Sequence, residues 1–367
     1  MNKLYSILVI SFLISFAFGD VIISQDLTLK SLAEKNKITF DALKHELSHS
    51  IGKEANSYNG KEYPSKYNLS DEILMSAIEE AIHEHKEHPY ESVKYIIYIF
   101  LSLFGLVFLL SLYKYKYIRW IILLIAVSTL GVYFLAKTNQ MEAMVKTFKL
   151  MVGIESDIWG RLSIFLFFSG LSLLGAKLSC SWACPIGVSQ ELLYEIPIIK
   201  KIKKKIRIPF YITNGIRSIL FVIFLCLIFG WIFGVDKFII YHHTNLFKVF
   251  SNNLSKGAIV LLPIIIIISF FIYRPYCQLI CPFGLYSWVL ENLSLFRIRV
   301  DHTKCTNCNK CVDVCPTFAA KSRVDGTSTA YKSECWSCGK CIEACKFDAI
   351  KYSTIFKSIK LPKVKKD

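Results

Sequence analysis

Cysteine is absent from this 367-residue chain before Cys180, although the whole sequence has 13 cysteines. A disulfide-stabilised extracellular domain spreads its cysteines along the chain, so that class of protein is excluded. The haem-attachment motif C-x-x-C-H is missing everywhere, and no segment resembles a flavin-binding domain. All but one of the cysteines instead fall into four short motifs. Cysteines grouped at such spacing indicate metal ligands.

Acidic residues are also scarce in this chain. There are 28 Asp and Glu against 44 Lys and Arg, a net charge of +16, and 53% of the residues are hydrophobic, with a mean hydropathy of +0.42. This composition excludes a disordered chain and a simple soluble domain. Because the basic clusters adjoin apolar runs, anionic membrane lipids are the expected partners, and nucleic acid is not.

Residues 1–19 have the pattern of a signal peptide. Lys3 precedes an apolar run from Leu4 to Phe18, and the small residues Ala17 and Gly19 permit cleavage after position 19. The run is short for a stable membrane span. The residues that follow are expected outside the cytoplasm, whether or not the segment is cleaved.

Residues 20–92 are polar and contain no cysteine. Two patterns of apolar residues at helical spacing follow the start signals Thr28 and Ser70, and Pro89 ends the second. The repeating residues are Leu29, Leu32, Ala33, Phe40, Leu43 and Leu47 in the first, and Ile73, Leu74, Ala77, Ile78, Ala81 and Ile82 in the second. The segment is therefore predicted to form a small extracytoplasmic helical domain.

Residues 93–300 are predicted to form a transmembrane domain. Apolar stretches there approach the roughly 20 residues that cross a bilayer as a helix, and they lie near 94–113, 117–136, 158–178, 216–234 and 257–273. The basic run Lys200–Arg207 and the cluster around Lys114 place two loops in the cytoplasm by the positive-inside rule. The C-terminal part of this multi-pass inner-membrane protein is then cytoplasmic, with residues 354–367 as a basic tail.

The strongest pattern is C-x2-C-x2-C-x3-C, which occurs twice in residues 301–353, from Cys305 and from Cys335. Three cysteines of such a motif bind one [4Fe–4S] cluster, and the fourth binds the other cluster. The rule assigns one cluster to Cys305, Cys308, Cys311 and Cys345, and the other to Cys335, Cys338, Cys341 and Cys315. Zinc ribbons lack the third cysteine at this spacing and match less well.

A second motif, C-x3-C-P-x-G, directly follows the third and the fifth apolar stretch. It places Cys180 and Cys184 in one copy and Cys277 and Cys281 in the other. On a helix, cysteines four residues apart lie on one face. The four thiols are candidate ligands of a further cluster or metal ion, a redox-active thiol group, or structural side chains.

Together these patterns predict a membrane all-α protein with five transmembrane helices after a signal peptide. A C-terminal α+β module with two [4Fe–4S] clusters completes the predicted fold. In its order of motifs the chain resembles the membrane-bound ferredoxins of the NapH, NosR C-terminal and CcoG type, over residues 95–353.

That resemblance implies electron transfer between the quinone pool, or a cytoplasmic donor, and an extracytoplasmic redox system, by way of redox partner proteins. A factor that reduces or assembles a copper centre and a redox-sensing membrane regulator are the alternative functions, because other members of the group have such roles. The chain differs from the group in its N-terminal region.

Histidines outside the cysteine motifs give weaker hypotheses. The sequence HELSH, from His45 to His49, matches a zinc-protease motif, but a domain of this size leaves no room for a substrate cleft, and solvated helical histidines are favoured. His242 and His243 could take protons from quinol or bind a metal, although packing at the membrane edge is favoured. The residues Met141, Met144, Val145, Phe148 and Met151 indicate an interfacial helix.

Overall fold

The computed structural model describes most of the chain, namely residues 24–36, 38–51, 57–69, 71, 73, 74, 77, 78, 81, 91–136, 139–151, 158–196, 206–229, 241, 244–251, 254–325 and 334–356. The predicted signal peptide, most of the basic run Lys200–Arg207, and His242 and His243 lie outside these residues. So does the basic tail from position 357.

The first helices bury the periodic residues of the sequence. Helix α1 spans Leu29–Lys35 and α2 spans Phe40–Ile51, and helical residues recur between 71 and 81. Thr28 caps α1, since its hydroxyl accepts a hydrogen bond from the Ser31 amide at 3.3 Å. These helices share a core formed by Leu29, Leu32, Ala33, Leu43, Leu47, Leu74, Ala77 and Ile78. The apolar faces expected from the sequence are therefore the buried ones.

Apolar helices form the next part of the molecule. They are α3 (Glu91–Val107), α4 (Lys116–Ala126), α5 (Gln140–Met151), α6 (Ile158–Leu174), α7 (Pro185–Glu195), α8 (Phe210–Ile228) and α9 (Lys256–Ser269). Within the described residues, Ser92–Leu112 and Phe210–Ile228 are long and apolar enough to cross a membrane. Shorter apolar helices span Tyr117–Tyr133, Ile158–Leu174 and Gly257–Ser269. Each overlaps one of the apolar stretches of the sequence.

Two similar segments follow α6 and α9, and each contains one C-x3-C-P motif. In the first, a π-helical turn over Ser179–Ala183 leads through Cys184 into α7. In the second, α10 (Pro275–Leu279) leads through Cys281 into α11 (Pro282–Glu291). Residues 175–195 and 272–291 are called the first and second cysteine segments below.

Proline explains why each cysteine segment bends. The residue before a proline is pushed out of the α-helical region, and Cys184 (φ −67°, ψ 115°) and Cys281 (φ −63°, ψ 118°) are accordingly extended. Pro185 and Pro282 then begin new helices, where a missing N–H leaves no helical hydrogen bond unmade. The second cysteine of each motif therefore lies at the junction between two helical segments, so the two cysteines do not share the face of one continuous helix.

The two cysteine segments are interlocked with the chain that follows them. Gly175, at the start of the first, forms a parallel bridge to Phe296, which lies beyond the second. Ile272, at the start of the second, forms a parallel bridge to Ile206, which lies beyond the first. Each segment is thus anchored by backbone from the other half of the chain.

The C-terminal module combines two strands with short helices. Strand β1 (Phe296–Val300) pairs antiparallel with β2 (Ile350–Thr354), in a register that sets Phe296 opposite Thr354 and Val300 opposite Ile350. Between them lie α12 (Lys310–Val314), α13 (Ala319–Val324) and α14 (Lys340–Ala344). The cysteine loops precede α12 and α14, so the sheet holds the two ends of the module together.

Helix α5 covers the methionine-rich stripe that indicates an interfacial helix. Its residues Met141, Met144 and Val145 are buried in the main core, whereas Met151 is exposed. The helix packs against α6 and α11. One face of the predicted helix therefore contacts protein close to the second cysteine segment.

Candidate functional site

The two loops of the C-terminal module share one backbone conformation. Asn307 and Asn309 in the first loop and Ser337 and Gly339 in the second have φ values between 45° and 79°. Each pair stands at the second and fourth positions after the first cysteine of its motif. Such left-handed residues turn successive backbone N–H groups inward and form an anion-binding concavity, as at many iron–sulfur centres. The donor set and the backbone therefore both fit an anionic cluster.

Four thiols line one cavity in the module. They belong to Cys315, Cys335, Cys338 and Cys341. Arg323 and apolar residues from β1, α13 and β2 form most of the remaining wall. The fourth cysteine of the first motif thus lies with three cysteines of the second. This group is called the second ferredoxin site.

The other four cysteines of the module lie nearer the surface. Cys308 is exposed and Cys305 and Cys345 are half-buried, whereas Cys311 is buried. Cys311 interacts electrostatically with both Cys305 and Cys345, so the fourth cysteine of the second motif lies near the first loop. This group is called the first ferredoxin site.

The cysteines of the two C-x3-C-P motifs meet in the main core. All four are buried, and Cys184 interacts electrostatically with Cys180, Cys277 and Cys281. Cys180 also interacts with Cys277 and Cys281. The structure therefore brings together the four residues that the repeated motif singles out. This group is called the four-cysteine site.

Glycine in each C-x3-C-P-x-G motif allows a close approach of the backbone to the four-cysteine site. A Cβ at Gly187 would lie 3.0 Å from the Cys180 carbonyl oxygen, and one at Gly284 would lie 2.5 Å from the Cys277 carbonyl oxygen. The Gly284 amide also donates a hydrogen bond to the Cys281 carbonyl at 3.1 Å. The glycine thus keeps the first helical turn against the thiols.

Burial controls the protonation of these thiols. It raises the pKa of Cys277 to about 12 and holds the pKa of Cys184 and of Cys281 well above the usual range. It also raises the pKa of Cys180, although Lys177 and Arg274 act in the opposite direction. Without a bound cation the thiols stay protonated at neutral pH, so metal binding would release protons.

Glu334 connects the second ferredoxin site to the helices. It immediately precedes Cys335, is 3% exposed, and forms ion pairs with Lys177 of the first cysteine segment and Arg217 of α8. The Arg217 guanidinium is bidentate, at 2.8 and 3.1 Å. Burial favours the protonated carboxyl, but the two cations outweigh it and lower the pKa of Glu334. The ionised carboxylate therefore ties the module to the core.

Glu191 connects the two cysteine segments to each other. Its carboxylate, on α7, accepts hydrogen bonds from Arg274 at 2.6 Å, Tyr273 at 2.6 Å and Arg119 at 2.8 Å. Burial favours the protonated form, yet the neighbouring cations hold the pKa of Glu191 well below its usual range. Arg274 also donates to the carbonyls of Cys180 and Ser181. This network fixes the backbone at the four-cysteine site.

The second ferredoxin site touches the first cysteine segment directly. The Trp182 indole N–H donates to the Ser337 carbonyl at 3.2 Å, and the Ser337 hydroxyl donates to the Ala176 carbonyl at 2.5 Å. Lys177 lies over the Trp336 ring, 4.4 Å from its centroid. The loop between Cys335 and Cys338 therefore packs directly against the first cysteine segment.

The buried ionic residues were not among the site residues expected from the sequence. Around the cysteine motifs these are Arg119, Lys177, Glu191, Arg217, Arg274, Glu291 and Glu334. The available signal is the position of Arg217 inside an apolar span and of Lys177 and Arg274 at the ends of two others. An ionisable residue in such a segment marks a functional site by default, because its burial is costly.

Among the described residues, no three His, Cys, Asp or Glu side chains converge so as to hold a single metal ion. Cysteines that bind different iron atoms of one cluster need not converge on a single point. The side chains of His45 and His49 lie outside the described residues, as do His242 and His243. The histidine hypotheses therefore stay predictions.

Two family models match this chain. One, described as a 4Fe-4S dicluster domain, covers residues 297–346. The other, described as a 4Fe-4S binding domain, matches twice, at residues 158–209 and 256–300. Each of those two matches contains one cysteine segment, so the C-x3-C-P motifs belong to an internal repeat.

Curated relatives have the same ferredoxin character. The ferredoxin-type protein NapH of Haemophilus influenzae is 28% identical over 165 residues, which are 43% of this chain and 52% of that protein. The methylamine utilization ferredoxin-type protein MauN of Methylobacillus flagellatus is 25% identical over 149 residues, 39% of this chain and 50% of that protein. The chain resembles the NapH-type ferredoxins over part of its length. Its matches span about half the length of these relatives, and no solved structure matches.

Proposed function

We propose that this chain is a membrane-bound electron-transfer protein that passes electrons through [4Fe–4S] clusters. The cavity lined by Cys315, Cys335, Cys338 and Cys341 is the observation that carries the proposal. A bound [4Fe–4S] cluster supplies one-electron oxidation and reduction, at a potential set by hydrogen bonds and solvent exposure. The protein supplies the ligands, the inward N–H groups and the low-dielectric surroundings. The ferredoxin-type names of the relatives support the same function.

The first ferredoxin site would use Cys305, Cys308, Cys311 and Cys345, and the second Cys335, Cys338, Cys341 and Cys315. The packing of α12 against α14 supports this exchange of fourth ligands, because each helix ends at the fourth cysteine of its own motif. The electrostatic contact of Cys345 with Cys311 supports it as well. Both sites would then depend on both motifs.

The four-cysteine site would hold a third [4Fe–4S] cluster. Around the site, four buried cations, Arg119, Lys177, Arg217 and Arg274, share the two carboxylates Glu191 and Glu334, while a third buried carboxylate, Glu291, pairs with Arg323, so a surplus of two positive charges remains. Buried charge without a partner is strongly unfavourable. A cluster with four thiolate ligands is an anion and would balance that surplus. The 4Fe-4S description of the repeated family model supports this assignment.

The proposed topology has five spans, residues 20–92 outside the cytoplasm and the C-terminal module inside. The coincidence of the apolar helices with the apolar stretches of the sequence supports it, as does the positive-inside rule applied to the basic run Lys200–Arg207 in the sequence. Electrons would pass between the quinone pool, or a soluble cytoplasmic donor, and a redox partner outside the cytoplasm. Quinol reactivity would be tested by adding a reduced quinol analogue to the oxidised protein.

Metal analysis after anaerobic purification tests the assignment of three clusters. Three cubes predict about twelve iron and twelve sulfide per chain, and about eight of each should remain in the double variant Cys184→Ser/Cys281→Ser. Cys226→Ser is the matched control, because Cys226 lies on α8 outside every motif.

The same analysis separates the alternatives. About eight iron in both proteins would remove the third cluster and leave the two ferredoxin sites. Copper in place of iron, lost in the double variant, would favour a copper-handling factor, since thiolates are suitable Cu(I) ligands. A folded chain without iron or sulfide would contradict the electron-transfer function itself.

A further inference from the structure

Contacts along helix α3, and along the π-helical turn that extends it to Leu112, show where each site lies along the helix axis. The backbone of Gly339, in the second ferredoxin loop, contacts Leu109, because a Cβ at Gly339 would lie 3.0 Å from the Leu109 side chain. The Trp182 ring lies against Gly105 in the same way and 5.0 Å from the Phe108 ring. The three contacts follow one another along a single span.

The four-cysteine site lies further along that span. The Tyr98 hydroxyl interacts electrostatically with Cys184 and Cys180. Tyr98 stands eleven residues before Leu109, which at 1.5 Å per residue is roughly 16 Å along the helix axis. The four thiols therefore lie deeper in the apolar part of the molecule than the second ferredoxin loop, and Arg217, which contacts both the Cys277 carbonyl and Glu334, connects the two.

On its other side the four-cysteine site approaches the opposite end of the bundle. Tyr276, the residue before Cys277, donates its hydroxyl to the Met141 sulfur at 2.9 Å and to the Thr244 carbonyl at 3.0 Å. Tyr241 interacts electrostatically with Cys281. In the proposed topology both contacting segments, around Met141 and Thr244, lie on the outer side of the membrane.

The two ferredoxin sites differ in their position relative to the four-cysteine site. The second site is linked to the first cysteine segment by the hydrogen bond from Trp182 to Ser337 and by the ion pair from Lys177 to Glu334. The first site includes Cys308, which is exposed to solvent. A soluble partner can therefore approach the first site, whereas the second contacts the core.

We infer that electrons pass through the three sites one after another across the membrane. The first ferredoxin site exchanges electrons with a soluble protein partner, the second relays them, and the four-cysteine site carries them towards the outer face. When a reduced soluble ferredoxin is the donor, it loses one electron and the first site gains one. The same electron then moves through the second site to the third. This order rests on the proposed function, including its third cluster.

Electron paramagnetic resonance of the reduced full-length protein tests the order through magnetic coupling. Neighbouring paramagnetic centres split each other's signals. The signal of the reduced cluster at the four-cysteine site should therefore keep its splitting in Cys308→Ser and lose it in Cys338→Ser. The reverse result would overturn the order. Iron and sulfide are counted first on the same samples, and a wild type with about eight iron would show that the third cluster of the proposed function fails, which removes the order as well.

A second measurement leaves every cysteine in place, because a ligand variant can disturb the whole module. Trp182→Phe removes the indole donor to Ser337 but keeps an aromatic ring, and Trp159→Phe, at a position 82% exposed, is the matched control. After rapid mixing with a reduced soluble ferredoxin, the two ferredoxin sites should be reduced at the wild-type rate in both variants. The four-cysteine site should be reduced severalfold more slowly in Trp182→Phe only. Equal rates at all three sites would overturn the proposed route.

Discussion

Trp182 donates its indole N–H to the carbonyl of Ser337 at 3.2 Å. Trp182 lies between the two cysteines of the first C-x3-C-P motif, and Ser337 lies between Cys335 and Cys338. One hydrogen bond therefore joins a C-x3-C-P motif to a ferredoxin motif 155 residues away in sequence. The contact makes the module an integral part of the core and gives its second site a direct neighbour there.

Replacing Glu334 by Gln should destabilise the protein. The variant leaves Lys177 and Arg217 buried without their carboxylate, and breaking a buried ion pair costs about 3–5 kcal/mol. Glu343→Gln is the control, because Glu343 is exposed on α14 and such surface changes stay within about 0.5 kcal/mol. Thermal unfolding of both variants in detergent measures the difference. Equal midpoints would show that Glu334 does not hold the module to the helices.

Replacing Gly284 by Ala should disturb the four-cysteine site. The new methyl group would lie 2.5 Å from the Cys277 carbonyl oxygen and 3.2 Å from Arg217 Nη1. Overpacking of this kind costs about 1–3 kcal/mol. Gly215→Ala, on α8, is the control because nothing lies within 4 Å of its added methyl. Denaturant unfolding gives the free energy of unfolding of each variant. An unchanged free energy of unfolding in Gly284→Ala would contradict the explanation that this glycine allows the close approach of the backbone.

Replacing Cys315 by Ser should damage the second ferredoxin site, not the first. Cys315 belongs to the first motif in sequence, but its side chain lines the cavity with Cys335, Cys338 and Cys341. Mössbauer spectra of iron-57-labelled protein should show that the cluster of the second ferredoxin site is altered. Cys345→Ser is the reciprocal control and should alter the first. Damage to the site nearest in sequence in either variant would refute the exchange of ligands.

Topology gives an expectation for intact cells. A membrane-impermeant thiol reagent should label a cysteine introduced at Lys61, which is exposed, and should not label one introduced at Lys204. The physical reason is that basic loops stay in the cytoplasm. Peptide mapping separates these sites from the native cysteines, and permeabilised cells provide the control for reactivity. External labelling at position 204 would overturn the five-span arrangement.

The local patterns of the sequence account for much of the architecture. Helical spacing identifies the buried faces of α1 and α2, and the apolar stretches coincide with the apolar helices. Pro185 and Pro282 begin new helices, as proline commonly does at the first helical position. These features depend on residues that are neighbours in the chain, so they can be predicted from one amino-acid sequence.

The ionic network around the cysteines could not be predicted in the same way. Lys177 and Glu334 are 157 residues apart, and Glu191 and Arg274 are 83 apart. Nothing in the local sequence specifies which carboxylate neutralises which cation. The interlocking of the two cysteine segments, through Gly175 and Ile272, depends on the same long-range packing. Only the position of a charge in or beside an apolar span marks these residues in advance.

The most direct test of the account is a redox titration of the anaerobically purified protein, followed by low-temperature electron paramagnetic resonance. Reduced [4Fe–4S] clusters should give fast-relaxing signals that appear on reduction with dithionite, disappear on reoxidation, and show magnetic interaction between neighbouring sites. The interaction at the second ferredoxin site should be lost in Cys315→Ser. A folded protein with no reducible iron–sulfur signal would contradict the central claim.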